Sequence, residues 1–366
     1  MWIGVSAPRF QSKGESGRIR CLGDRIDPVD RTISVRDGGE REAVIPADEL
    51  PVELSTGLDA QSETAEVHRR NARIGVMYGL GAYLWWGMVP LYFKALTHVP
   101  ASEILAHRIV WSVLLLAILM RVRGRWAAAL TALKDRRTLV TLLGTTVLIA
   151  SNWYLFIYAI AEKRTLEAGL GYFINPLVNV LLGVVFLRER LRPWQIVSVT
   201  LAAVGVSYRT WAMGSVPVLA LLLAFTFSFY GFLRKTVRME ALAGLTVETA
   251  LLSPLAVAYV AYLMSQDRSF FIGHSPSTTI LLVISGVITS VPLLWFTNAA
   301  RRLRFSTVGF LQYLSPSLQC LLAVTVFGEL FARTQWISFS FIWLALAVYS
   351  VDAWRAARGP SAAARV

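Results

Sequence analysis

Apolar residues come in runs of about twenty along most of this chain, separated by short stretches where charge collects. A helix rises about 1.5 Å per residue, so such a run covers the roughly 30 Å of a bilayer core. Apolar length predicts ten spans, at 74–96, 103–120, 138–160, 165–187, 194–211, 216–233, 242–264, 278–300, 305–327 and 334–353. Most connections between them are short, so the pattern predicts an all-α polytopic membrane protein whose ten transmembrane helices pack as neighbours. Residues 1–70 lack sustained periodicity and are rich in Asp, Glu, Gly, Arg and Ser, so this leader reads as disordered. No apolar run follows Met1, and no signal peptide is expected there. A translation start near residues 52 to 60 is the alternative reading of the leader, and the intact mass of natively expressed protein tests it.

Composition agrees with the pattern. Hydrophobic residues make up 55% of the chain and charged ones 16%, against about a quarter charged in soluble domains. The net charge of +13 would suit a nucleic-acid binder, but its placement argues otherwise. The loops 121–137, 188–193, 234–240 and 301–304 hold fifteen Lys and Arg, and the alternate loops hold four. That is a positive-inside signal, placing the first set and both termini in the cytoplasm. Nucleic acid is therefore not expected as a partner. Cys21 and Cys320 are too differently placed to suggest a disulfide, and metal-ligand spacings, phosphate loops and nucleophile motifs are missing, so neither metal nor cofactor is expected.

The chain resembles itself at an offset of 140, with no gaps from 138–196 to 278–336. Only 13 of 59 positions are identical, so the weight falls on which ones match: Phe156 with Phe296, Gly169 with Gly309, Pro176 with Pro316, Glu189 with Glu329. Each unit holds five spans. An odd number sends the second copy into the membrane from the other side, which predicts two inverted halves, the architecture of secondary transporters.

The fourth span, around "GYFINPLVNVLLGVVF", carries Tyr172, Asn175 and Asn179 on one helix face. Its twin, "LQYLSPSLQCLLAVTV", carries Gln312, Ser315 and Gln319 at the equivalent positions. A helix-breaking proline, Pro176 or Pro316, accompanies each stripe. Polar groups at this depth serve either helix contacts or a wet cavity, and the pairing of the stripes favours a cavity lining. Trp86, Asn152 and Tyr230 join them as cavity candidates. Glu103, His107 and Glu248 are the titratable groups suited to carrying a proton, and Arg108 matches Glu248 at the offset, which suggests an intramembrane ion pair.

The stretches "AYLWWGMVPLYFKAL", "EILAHRIVWS", "ASNWYLFIYAI", "LEAGLGYFINPLVNVLLGVVFLRERL" and "RRLRFSTVGFLQYLSPSLQCLLAV" closely resemble the RarD-type permeases, in the EamA branch of the drug/metabolite transporter superfamily. The resemblance covers residues 72 to 355. It implies a multi-pass protein of the bacterial inner membrane, built as two EamA repeats at 71–213 and 214–355 with a cytoplasmic tail at 356–366. Relatives export amino acids, other metabolites or drugs. The expected activity is thus secondary transport of a small organic solute, zwitterionic or neutral, by alternating access and proton exchange. An intramembrane enzyme lacks a nucleophile–base pair, so no enzyme is expected. A non-transporting scaffold or sensor is the alternative.

Overall fold

A computed structural model of the chain describes residues 26–27, 32–36, 42–46, 52–161, 164–212, 214, 217–272, 275–326 and 333–358. The chain divides into two units, one of Met1–His68 with Arg355–Val366 and one of Arg69–Trp354. In the first, β1 (Ile26–Asp27), β2 (Thr32–Arg36) and β3 (Glu42–Pro46) form an antiparallel sheet in that order, with Arg36 opposite Glu42 and Thr32 opposite Pro46. These twelve residues lie within the leader expected to be disordered; the rest of residues 1–51 lie outside the described residues. Thr-Ile-Ser-Val alternates polar and β-branched residues, and Asp37-Gly38-Gly39 is hairpin turn chemistry.

The helices are α1 (Val52–Ala95), α2 (Ala101–Val122), α3 (Trp126–Leu133), α4 (Arg136–Ala161), α5 (Thr165–Val185) and α6 (Pro193–Ala212). They continue as α7 (Val218–Thr236), α8 (Ala241–Ser265), α9 (Pro276–Arg302), α10 (Phe305–Gln312), α11 (Leu314–Thr325) and α12 (Arg333–Arg358). Every predicted span falls on a helix, and 305–327 falls on two. Among the described residues, seven helices are long and apolar enough to cross a membrane: α1 from Arg69, α2, α4, α7, α8, α9 and α12. The protein is therefore a multi-pass α-helical membrane protein. The short α3 lies in a stretch read as loop.

Local chemistry sets several helix ends. Asp135 caps α4, its carboxylate accepting from Thr138 Oγ1 at 2.8 Å, Thr138 N at 3.2 Å and Arg137 N at 3.3 Å. These bonds hold its carboxyl below the usual range. Proline precedes α2 and α7, where its fixed φ and missing N–H suit a helix entry. The two stripe prolines behave differently. Pro316 cannot bond to the Gln312 carbonyl four residues back and crowds it, and α10 ends at Gln312, with Tyr313 N turning to Phe310 O at 3.2 Å. The twin helix α5 runs through Pro176 unbroken, so Pro176 is not the helix break it was expected to be.

The offset seen in the sequence recurs in the elements. Four pairs of helices begin 140 residues apart: α2 and α8 at Ala101 and Ala241, α4 and α9 at Arg136 and Pro276, α5 and α10 at Thr165 and Phe305, α6 and α12 at Pro193 and Arg333. The main packing partners are α5 with α7 and α10, α2 with α8 and α9, and α4 with α7 and α8. Tyr83, Tyr230, Phe296, Phe305 and Tyr313 are fully buried in one core cluster. The candidate site is built around that core.

Candidate functional site

The two polar stripes meet where α5 crosses α10. Asn179 Nδ2 donates to Gln312 Oε1 at 2.8 Å, and both side chains are buried. The crossing is backbone-close because residue 309 is glycine: a Cβ there would lie 2.7 Å from the Pro176 carbonyl oxygen. One turn earlier on α5, Asn175 Oδ1 accepts from Ser228 Oγ of α7 at 2.7 Å. Gln319 Nε2 donates to the Trp86 carbonyl at 3.1 Å and to Ser315 Oγ at 3.4 Å. Asn175 and Gln319 thus bond different neighbours, with the ring of Trp86 packed on Phe227, next to Ser228.

An open central cavity was expected, but at Asn175, Asn179 and Gln312 the stripes are closed on protein. Tyr172 is 40% exposed, whereas Asn175 is 3% and Asn179 1% exposed. Asn179 Oδ1 has no partner among the described residues. Such an acceptor is costly to leave unmet, at about 1–3 kcal/mol. Trp86 packs into the aromatic core, 5.7 Å from Tyr83, 5.8 Å from Phe227 and 5.9 Å from Phe296 between ring centroids. Asn152 ties α4 to α7, donating at 2.9 Å to Leu223 O and to Thr226 Oγ1.

The expected ion pair of Arg108 with Glu248 does not form. Glu248 faces Arg234 instead, Nε to Oε1 3.6 Å, and both are almost fully buried. It also accepts from Thr145 Oγ1 at 2.6 Å and from Tyr230 OH at 3.2 Å. Tyr230 therefore belongs to this buried network rather than to the stripe. Arg234 fits because α8 has a notch: a Cβ on Gly244 would lie 1.9 Å from its Nη1. Its Nη2 donates to Ala241 O at 3.0 Å. In the sequence Arg234 looks like one of several loop cations, and only the glycine hints that α8 makes room for it.

Arg108 sits elsewhere, with Nε donating to Thr289 Oγ1 of α9 at 2.8 Å and its guanidinium over the rings of Trp153 and Phe93 at 5.6 and 5.8 Å. Glu103 is fully buried and accepts at 2.8 Å from both Ser269 Oγ and Phe270 N. His107 Nε2 lies 4.0 Å from Glu103 Oε1, and His107 Nδ1 accepts from Trp111 Nε1 at 3.2 Å. Glu103 Oε2 and His107 Nε2 have no hydrogen-bond partner among the described residues.

The sequence reading gave no role to Glu189. Its carboxylate accepts from Phe305 N at 2.5 Å, Ser306 N at 3.0 Å and Ser306 Oγ at 2.6 Å, pinning the start of α10 to the segment after α5. An acid at a helix N-terminus meets unpaired amides and the positive end of the dipole. The available signal was its identity with Glu329 in the repeat; Glu329 lies outside the described residues. Glu167 similarly accepts from Leu219 N at the start of α7, at 2.8 Å.

Known proteins match most of the chain. The family model described as "EamA-like transporter family" matches residues 73–209. Protein RarD of Escherichia coli is 45% identical to this chain over 285 residues, covering 78% of this chain and 96% of that protein. The chain is a RarD-type member of the EamA-like transporter family. An uncharacterized transporter of Vibrio cholerae is 46% identical, covering 79% of this RarD-type chain and 95% of its own. The chloramphenicol-sensitive protein RarD of Pseudomonas aeruginosa is 31% identical, covering 78% and 96%. A solved crystal structure, 21% identical, covers 77% of this chain and 99% of its own with a TM-score of 0.58, which speaks for the fold alone. This RarD-type protein is a membrane transporter.

Proposed function

We propose that the protein is a secondary transporter of the bacterial inner membrane that moves a small organic solute by alternating access, in exchange for protons. Ten spans complete the bundle in this reading, with α5, α6 and the α10–α11 pair joining the seven long apolar helices. Both termini are cytoplasmic, following the Lys and Arg placement. The halves are inverted repeats, and the shared 140-residue spacing of helix starts supports this. One observation carries the transport reading: uncharged stripes at equivalent positions of the proposed repeats bond to each other through Asn179 and Gln312.

In this reading α5 and α10 close one side of the path, and opening that side parts Asn179 from Gln312. Glu103, His107 and Glu248 are the candidate proton carriers. Amino acids, other metabolites and drugs are the solute classes to screen. The test is purified protein in proteoliposomes containing a pH-sensitive dye, challenged with each class under an imposed pH gradient. Solute-dependent proton movement that falls at least tenfold in Asn179→Leu is expected. No solute-dependent flux from any class, with correctly folded protein, would sink the transport mechanism.

A further inference from the structure

Arg108 stands seven residues into α2 with no carboxylate to neutralise it. No ion pair among the described residues includes it. Glu103, just over one turn away, is engaged by Ser269, Phe270 N and His107. Glu248, its equivalent in the second repeat, is committed to Arg234. What surrounds Arg108 is neutral: the rings of Phe93 and Trp153, the Thr289 hydroxyl, and the nearby phenols of Tyr92 and Tyr172. Tyr92 in turn donates its hydroxyl to Leu281 O at 3.0 Å.

A permanent cation at membrane depth is expensive and is retained where it pairs or functions. Arg108 Nε is fixed by Thr289, while its two Nη groups have no hydrogen bond among the described residues. A guanidinium held by Nε presents the remaining N–H groups as a fork that matches a carboxylate. It lies near Tyr172, the partly exposed residue at the head of the α5 stripe. A solute reaching Tyr172 therefore meets a positive charge with aromatic walls before it meets the closed amides.

Building on the transport reading, we propose that Arg108 binds the carboxylate of the transported solute, which makes the substrate a monoanionic or zwitterionic organic acid with an apolar body. The Phe93 and Trp153 faces take the apolar body, and the uncharged Asn175–Asn179–Gln312 series takes its polar substituents. A carboxylate replaced by a neutral amide of the same shape forfeits the charge-assisted fork.

The experiment uses the full chain in detergent and three matched pairs: acetate with acetamide, 3-phenylpropionate with 3-phenylpropionamide, and N-acetylphenylalanine with its amide. Ligand-induced shifts in melting temperature are read for each. At least one carboxylate with an apolar body is expected to raise the melting temperature above its amide in wild type, with the difference gone in Arg108→Gln and reduced in Arg108→Lys. Equal behaviour of every acid and its amide in wild type, or a preference that survives unchanged in Arg108→Gln, overturns the proposal. Should Arg108→Gln fail to fold, Thr289→Val replaces it, keeping the charge and freeing Nε. A roughly tenfold loss of carboxylate affinity supports the proposal, and unchanged affinity overturns it. Binding of an acid as expected, without movement across proteoliposomes, would support the Arg108 site and count against transport. Transport of solutes with no preference for a carboxylate would overturn the site and leave transport intact.

Discussion

At the scale of single residues, the charged groups divide by whether the chain satisfies them. Arg234 and Glu248 pair their charges at 3.6 Å inside the bundle, and removing one partner of such a pair typically costs about 3–5 kcal/mol because the other is left buried and unpaired. Arg234→Met should therefore unfold at markedly lower denaturant than wild type. The double variant Arg234→Met/Glu248→Leu should recover part of that loss, and additive losses in equilibrium unfolding would contradict the pairing. Gly244→Ala tests the same network from the side, since its Cβ would collide with Arg234 Nη1 at 1.9 Å. Asp135 acts at the surface, and its hydrogen bonds hold its folded carboxyl below the unfolded value of 3.8. Its stabilising contribution is complete above that pH and is lost as pH falls through the lower folded value. Asp135→Ala should flatten this acid dependence in a thermal melt, and Asp135→Asn should keep part of the cap.

Among the elements, the α5–α10 crossing depends on one missing side chain. Gly309→Ala would push α10 away from the Pro176 carbonyl, costing about 1–3 kcal/mol by overpacking and breaking the Asn179–Gln312 bond. A cysteine pair at residues 179 and 312 should cross-link readily, and less so when Gly309→Ala is added. The helices themselves were legible in the sequence because apolar runs bounded by charge report span length directly. What pairs with what was not legible. Glu248 matched Arg108 by position in the repeat, yet it bonds Arg234, because Gly244 opens space for a guanidinium and such space belongs to packing rather than to pattern. The stripes on α5 and α10–α11 were legible as faces, but their closure on each other, on Ser228 and on Trp86 depends on how neighbouring helices approach.

For the whole molecule, inverted repeats make a prediction about sidedness. Alkaline phosphatase fused after Gly214 should be active in the periplasm, and the same reporter after Arg238 should stay inactive in the cytoplasm; equal activity at both sites would refute the inversion. Matching starts in four helix pairs describe two related halves, yet the relation is imperfect at one place. The segment with Pro316 is split at Tyr313, and its partner with Pro176 is continuous. A jointed arm and a stiff arm store different energies when they bend. If the halves trade places during turnover, the two resting orientations are then unequally populated even with no solute and no gradient, and the direction in which the empty carrier prefers to wait is written into which copy kept its straight helix.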